Sequence, residues 1–218
     1  MYNKKNIFLY IYIIFMCFLF CSCDSFLQSA ESGLREWGYE NVDYEYTIRI
    51  SYENPDDRAS MEMRMESFEL EITDSSIENG CYTYELLSHY PLSDSVLNLI
   101  CENPSVSVTD ANGEEILAKS DVVSIASNIS SSAYAVVSDE FEKNFREKYV
   151  ARTIYLIVDD ITYDVNVITK EINEKSCIVI LPTNEAQEIA VRQMVISFVS
   201  EPLKGNVEMT IEKSATRV

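Results

Sequence analysis

RTIYLIVDDITYDVNVI, residues 152–168, is the stretch that decides the fold class. Two runs dominated by β-branched and aromatic residues, Arg152–Val158 and Thr162–Ile168, flank the acidic pair Asp159-Asp160. β-Branched and aromatic residues favour strands, and paired aspartates favour a turn. Because a connection this short joins antiparallel neighbours, the stretch predicts a β-hairpin.

Further stretches on both sides of this hairpin have strand-like sequences, in which apolar and polar residues alternate or β-branched and aromatic residues predominate. The Asn79-Gly80 and Asn112-Gly113 pairs mark turns between such stretches, since Asn-Gly adopts positive φ readily. A register change near Phe68 would restore the alternation of one stretch. The predicted strands are Val42–Tyr52, Met61–Ile72, Cys81–Leu87, Val106–Val108, Cys177–Leu181, Val191–Val199 and Val207–Ile211.

Residues 120–150 carry the main helical signal. Apolar residues recur every three or four positions from Asp121 to Tyr149, with Ser120 as a candidate cap. Ser138 and the acids after it resemble a second helix start, so the segment is predicted as one bent helix or two consecutive helices. A shorter helix is predicted at Asp94–Cys101. The expected fold class is α+β, with mostly antiparallel sheets packed against these helices.

The amino terminus has the layout of an export signal. Lys4 and Lys5 precede an uncharged apolar run, Ile7–Phe20. A helix of about 14 residues spans about 21 Å, less than the roughly 30 Å of a bilayer's hydrocarbon core. A cleaved signal is therefore favoured over a permanent transmembrane helix.

The end of that run, Phe20-Cys21-Ser22-Cys23, resembles a bacterial lipoprotein signal. In that pattern a small residue, here Ser22, precedes a cysteine that becomes acylated. Phe20 departs from the Leu, Val or Ile that is usual three places before the cysteine, and Cys21 is also unusual. The resemblance implies lipidation at Cys23; an ordinary cleaved signal and an uncleaved anchor are the alternatives.

The resemblance implies a division of the chain and a location. Residues 1–22 would be the signal peptide, 23–41 a tether and 42–218 a single α+β domain. Palmitate or similar acyl chains on Cys23 would hold the protein to a membrane of the bacterial cell envelope, on its periplasmic or surface face. Asp24 matches an inner-membrane retention signal of some Gram-negative bacteria.

The composition describes an acidic domain that can bury a core. The formal net charge is −19, and removal of a signal with Lys4 and Lys5 makes it more negative. Such a charge opposes binding to nucleic acid and to anionic headgroups. Hydrophobic residues make up 47% of the chain, which argues against disorder.

The cysteines left beyond the predicted signal are few. Cys81, Cys101 and Cys177 follow Cys23, so at most one disulfide can form among them. Cys81 and Cys101 are the closest in sequence and the candidate pair. Three buried thiols that pack as small apolar residues are the alternative.

No catalytic constellation stands out in the sequence. His89 is the single histidine and lies in a segment without a family signature. A zinc site formed by Cys81, His89 and Cys101 would have spacings that match no finger pattern. The turn at Asp110–Gly113 departs from the calcium-loop spacing, and the methionines of Met61–Met65 suit strand packing better than copper. No cofactor or metal is predicted.

These observations favour a non-enzymatic envelope lipoprotein that binds a protein, peptide or lipid partner. Two alternatives stay open from the sequence. One is an exported hydrolase that uses Asp/Glu chemistry, which would need two facing carboxylates in a cleft. The other is a lipid-handling module with an apolar cavity between sheet and helix.

Overall fold

The computed structural model describes residues 44–127, 131–150 and 152–217 of the chain. Contacts divide the chain into two units, Met1–Val42 and Asp43–Val218, and the description concerns the second. The predicted signal peptide, tether and Cys23 lie outside the described residues. Their assignment therefore stays a prediction.

The described strands form two sheets in which every neighbouring pair is antiparallel. The small sheet has the order β11-β1-β3-β2 and the large sheet the order β5-β4-β8-β9-β10-β7-β6. The predicted combination of helices and mostly antiparallel sheets is confirmed. Strands β1 to β11 are Tyr44–Tyr52, Glu71–Glu78, Cys81–Ser88, Val106–Asp110, Glu115–Leu117, Val122–Ser127, Ala133–Val137, Ile154–Val158, Ile161–Ile172, Lys175–Leu181 and Val207–Arg217.

The hairpin predicted from residues 152–168 is confirmed as β8 and β9. Its two-residue turn places Asp159 and Asp160 at φ values of +47° and +67°. The turns at Asn79-Gly80 and Asn173-Glu174 also hold two successive residues at positive φ. Two positive φ values are typical of the type I′ turn, whose twist matches that of the strands it joins.

We expect Glu174→Gly to stabilise the protein. Glu174 lies at φ +62°, where an L-residue with a β-carbon pays about 1 kcal/mol that glycine avoids. Urea denaturation should show a rise of about 0.5–1 kcal/mol in the free energy of unfolding. Glu174→Ala is the matched control and should give no such rise, because alanine also has a β-carbon and keeps the energetic cost of the left-handed conformation. Equal stabilisation by both variants would contradict the explanation.

Four α-helices lie among the described residues, and side chains cap three of them. Ser93, Ser138 and Asn184 each accept a hydrogen bond from the backbone N–H three residues later. The second helix start predicted at Ser138 is thereby confirmed, because such a bond satisfies a backbone donor that the helix leaves free. Helices α1 to α4 are Asp57–Ser67, Asp94–Asn98, Asp139–Tyr149 and Glu185–Val199, and 3-10 turns span Leu99–Cys101 and Lys119–Asp121.

The prediction of helix throughout residues 120–150 is wrong in its first half. Residues Val122–Ser127 and Ala133–Val137 form the paired strands β6 and β7, and only Asp139–Tyr149 is helical. In β7, Ala133, Ala135 and Val137 are buried at every second position. Buried residues spaced four apart lie on one face of a strand and also on one face of a helix, so their spacing alone does not distinguish the two structures. The pairing of β6 with β7 favours the strand here.

The strand predicted at Met61–Ile72 is also wrong, because α1 occupies Asp57–Ser67. Met61 and Met65, one helical turn apart, are fully buried, whereas Met63 is 46% exposed. The helix ends beside Phe68, where a register change was expected, and the Leu70 N–H donates to the Met65 carbonyl at 3.1 Å. Methionine, glutamate and arginine are good helix formers, which outweighs a strict alternation in this stretch.

The strand predicted at Val191–Val199 is part of α4. Helix α4 is buried at eight of its 15 positions, and residues 189–199 of its sequence are mostly apolar. Such a run cannot be distinguished from a buried strand by periodicity alone. The stretch Val207–Ile211, which the sequence predicts as a strand, is part of β11 and pairs with β1.

Helix α4 contributes to both hydrophobic cores. Ala190, Val191, Met194 and Val195 pack with the buried residues of the large sheet. Ile196 belongs to the core of the small sheet, which includes α1, β1 and β3. A helix with apolar residues around most of its circumference is buried between neighbours, as α4 is here.

None of the helices within 44–127, 131–150 and 152–217 is long and apolar enough to span a bilayer.

Candidate ligand-binding cleft

A cleft of about 390 Å³ opens where three segments of the chain meet. The first is the connection between β3 and α2, the second is Ser131, two residues before β7, and the third is the amino-terminal half of α4. We call it the Arg192 cleft. Its lining comprises Tyr90, Pro91, Leu92, Ser93, Ser95, Val96, Ser131, Glu185, Glu188, Ile189 and Arg192.

Buried tyrosines fix the first wall of the Arg192 cleft. The Tyr90 hydroxyl donates to the Phe68 carbonyl at 3.0 Å, and the Tyr46 hydroxyl accepts from the Leu92 N–H at 2.6 Å. Burial raises the pKa of Tyr90 to about 12, so its hydroxyl stays a protonated donor at neutral pH. The wall is therefore attached to the core of the small sheet.

Ser131 forms the second wall and joins two charged side chains of α4. Its Oγ accepts from Arg192 Nε at 3.2 Å and lies 3.4 Å from Glu188 Oε2, to which it donates. Ser131 is 3% exposed and has a φ of +56°, a left-handed conformation that is uncommon for serine. Non-glycine residues held in this region cluster at binding and catalytic sites.

Arg192, which comes from the α4 wall, is only 4% exposed and forms the floor of the cleft. Its guanidinium carbon lies 5.3 Å from the centre of the Phe68 ring, so one face of the group is covered. Its Nη1 atom is buried and has no hydrogen-bond partner among the described residues. A buried donor without an acceptor costs about 1–3 kcal/mol, and more when it is charged. Arg192 thus retains an unused capacity to bind an acceptor.

The outer part of the Arg192 cleft combines acidic and apolar groups. Glu185 and Glu188 are exposed, and they share one side of α4 because they are three residues apart. Ile189 is 40% exposed, although it is a large apolar residue. The cleft therefore offers a cationic floor, an acidic rim and an apolar flank.

The other buried arginine, Arg64, differs from Arg192 in that acceptors surround it. Arg64 is 1% exposed, and burial lowers the pKa of its guanidinium to about 10. Five hydrogen bonds connect α1 to two distant segments, so this arginine has a structural role. The acceptors are Ser200 Oγ at 2.7 Å, the carbonyls of Ile100, Glu102 and Glu201 at 2.9, 2.6 and 3.2 Å, and Asn103 Oδ1 at 3.1 Å.

The structure separates the residues of the zinc site considered from the sequence. Cys81 begins β3, and His89 is exposed just after its end. Eight residues of extended chain span about 26 Å, too far for one metal ion to bind both side chains. Among the residues that the structure describes, no group of three His, Cys, Asp or Glu side chains could hold a metal ion.

The three described cysteines are free thiols in the structure. Cys177 is buried, whereas Cys81 and Cys101 are partly buried. Burial raises the pKa of the Cys101 thiol to about 11, which keeps it protonated and unreactive at neutral pH. The disulfide between Cys81 and Cys101 stays a prediction.

The turn compared with a calcium loop is a hairpin turn, as Asn112-Gly113 predicted. Strands β4 and β5 pair across it, and Gly113 lies at φ +79°. Asp110 accepts from the backbone N–H groups of Asn112 and Glu114 at 2.8 and 3.0 Å. These bonds hold the pKa of the Asp110 carboxyl below its usual range and explain its place in the sequence without a metal.

Sequence reasoning missed every residue that forms the floor of the Arg192 cleft. One signal was present: Arg192 is a lone cation inside the apolar run from Ile189 to Val199. Even when it is read as a strand, that run places Arg192 on the same face as Met194, Ile196 and Phe198. Read as a buried helix, it places a charge inside the protein, which requires a partner or a function.

Comparison of the sequence with protein-family models gives no match. Comparison with curated proteins also gives no match.

Proposed function

We propose that the protein is a membrane-anchored envelope lipoprotein whose folded domain binds a ligand in the Arg192 cleft. The observation that carries the binding role is the buried Arg192 Nη1, which lacks an acceptor within the described part of the chain. The anchoring role is supported by the lipoprotein-like Phe20-Cys21-Ser22-Cys23.

Recognition fits the groups in this cleft better than hydrolysis does. A guanidinium carries hydrogen-bond donors and no acceptor, so it suits recognition of an acceptor rather than the role of a catalytic base. Glu185 and Glu188 lie side by side on one helix, whereas the carboxylates of a glycosidase face each other across the substrate. A buried arginine also makes the cleft unsuited to a wholly apolar lipid chain. The geometry therefore favours a ligand with polar acceptor groups.

The anchor would place this binding domain at a membrane surface. Two or three acyl chains on Cys23 hold a protein stably, since each buried CH₂ contributes roughly 0.8 kcal/mol. Residues 23–41 would then separate the domain from the headgroups. The strongly acidic domain would stay off an anionic surface, with its cleft open to solvent.

Replacement of Cys23 is expected to abolish membrane anchoring. Cells that express the wild-type chain and are grown with labelled palmitate should incorporate label into the protein and retain it in the membrane fraction. Cys23→Ala should lose the label, because no other residue fits the acceptor position after Ser22. Cys21→Ala is the matched control and should keep it. Unchanged label and fractionation of Cys23→Ala would overturn the proposed anchor.

Ligand binding is expected to depend on Arg192. We propose a thermal-shift screen of the full chain in detergent against small molecules of every charge class. Compounds that raise the melting temperature should bind at least 10-fold more weakly to Arg192→Gln, because charge-assisted hydrogen bonds are lost. Arg146→Gln, which changes an arginine on exposed α3, should bind as wild type does.

Two outcomes of that screen would contradict the binding role. One is the failure of every charge class to shift the melting temperature of the wild-type chain. The other is a set of ligands whose affinities are unchanged by Arg192→Gln.

A further inference from the structure

We infer that the Arg192 cleft binds a zwitterion, such as an amino acid or short peptide, with its carboxylate on Arg192 and its ammonium group between Glu185 and Glu188. This inference rests on the proposed binding role and specifies the class of ligand.

The Arg192 guanidinium interacts with Tyr90, Ser131 and Phe68, and one of its nitrogens is left without an acceptor among the described residues. Arg192 Nε is held by Ser131 Oγ at 3.2 Å, and the Phe68 ring covers one face of the guanidinium. Nη1 is the nitrogen that lacks a partner among the described residues. A carboxylate oxygen forms short, strong hydrogen bonds with a guanidinium N–H, so it is the acceptor that best satisfies this position.

The acidic rim argues against a ligand that is only anionic. Glu185 and Glu188 line the same cleft as Arg192, and the formal net charge of the chain is −19. Both would repel an isolated carboxylate or phosphate on its way to the floor. An ammonium group on the same ligand turns this repulsion into attraction. Glu188 Oε2 accepts a 3.4 Å bond from Ser131, and a carboxylate can accept several more.

The apolar flank favours a ligand with an aliphatic side chain. Leu92, Val96 and Ile189 line the cleft, and Ile189 is 40% exposed. A ligand that covers Ile189 would remove this apolar surface from water. The volume of about 390 Å³ lies within the roughly 300–1,000 Å³ range of small-molecule sites.

The test is calorimetric titration of the full chain in detergent with leucyl-leucine and two capped forms. N-acetyl-leucyl-leucine lacks the ammonium group, and leucyl-leucinamide lacks the carboxylate. We expect the free dipeptide to bind and each capped form to bind at least 10-fold more weakly. The double variant Glu185→Gln with Glu188→Gln should bring the free and acetylated dipeptides to similar affinities. Glu171→Gln, at an exposed position of β9, is the matched control.

The outcomes separate this inference from the binding role. Equal binding of the acetylated and free dipeptides, or tighter binding of succinate, would overturn the zwitterion and leave the cleft as an anion site. Failure of all the dipeptides while another class binds in an Arg192-dependent way would overturn the inference alone. If no class of compound shifts the melting temperature in the thermal-shift screen, the cleft holds only water. That result would overturn both the binding role and the zwitterion inference.

Discussion

Arg64→Ala is expected to lower the free energy of unfolding by about 4 kcal/mol or more, a large part of the 5–15 kcal/mol typical of a domain. The five hydrogen bonds of Arg64 are at most 3.2 Å long and reach segments far away in sequence. Alanine would leave the buried acceptors of Ser200 and Ile100 without the arginine donor, at about 1–3 kcal/mol each, and would remove the three partly buried bonds as well. It would also create a cavity in the space of a fully buried side chain.

Arg58→Ala is the matched control on the same helix. Arg58 forms a partly exposed ion pair with Glu62 at 2.7 Å, and its guanidinium lies 4.8 Å from the centre of the Tyr82 ring. Contacts of these two kinds near the surface contribute about 1 kcal/mol or less each. Urea denaturation of both variants measures the difference. A loss for Arg64→Ala that lies within 1 kcal/mol of that for Arg58→Ala would show that the buried cluster contributes little.

Ile196→Ala is expected to destabilise both sheets together, by about 2–4 kcal/mol. Ile196 is fully buried in the core of the small sheet, while its neighbours on α4 pack on the large sheet. Because one helix belongs to both cores, a loss on one side should be transmitted to the other. Native-state hydrogen exchange should show equal loss of protection in β1 and β8.

An exposed isoleucine provides the control for that experiment. Ile168 is 42% exposed on β9, so Ile168→Ala should change the free energy of unfolding by less than about 0.5 kcal/mol. If Ile196→Ala reduces protection in β1 and leaves β8 unchanged, the two sheets unfold independently. That result would contradict the role of α4 as the shared element.

Local chemistry was enough to predict the turns and the hairpin of β8 and β9, whereas β2 beyond Ile72 and β5 were not predicted. The pairs Asn79-Gly80, Asn112-Gly113 and Asp159-Asp160 were identified from residue types that tolerate positive φ, and all three lie at turns between antiparallel strands. The helix Asp139–Tyr149 was recognised from its cap and the acids that follow. In each case the signal lies within a few neighbouring residues, so no knowledge of distant contacts was needed.

The elements that sequence reasoning misassigned depend on distant contacts. Helix α4 is apolar on several sides because two sheets cover it, and its sequence therefore lacks an amphipathic period. In α1 the buried Arg64 occupies an inward position that a pattern of apolar residues cannot reveal. The Arg192 cleft was missed for the same reason, since its walls come from three segments far apart in sequence.

The pairing of the first described strand with the last has a consequence for how the chain reaches its destination. Tyr44–Tyr52 pairs with Val207–Arg217. Both hydrophobic cores also contain residues of α4, which begins only at Glu185. A nascent chain that lacks α4 and β11 cannot complete either core, so folding must wait until these two elements have been synthesised. For a chain that crosses a membrane through a narrow translocon, as the proposed export requires, such a delay preserves an unfolded, secretion-competent state. The topology would then time the folding of the protein to the far side of the membrane.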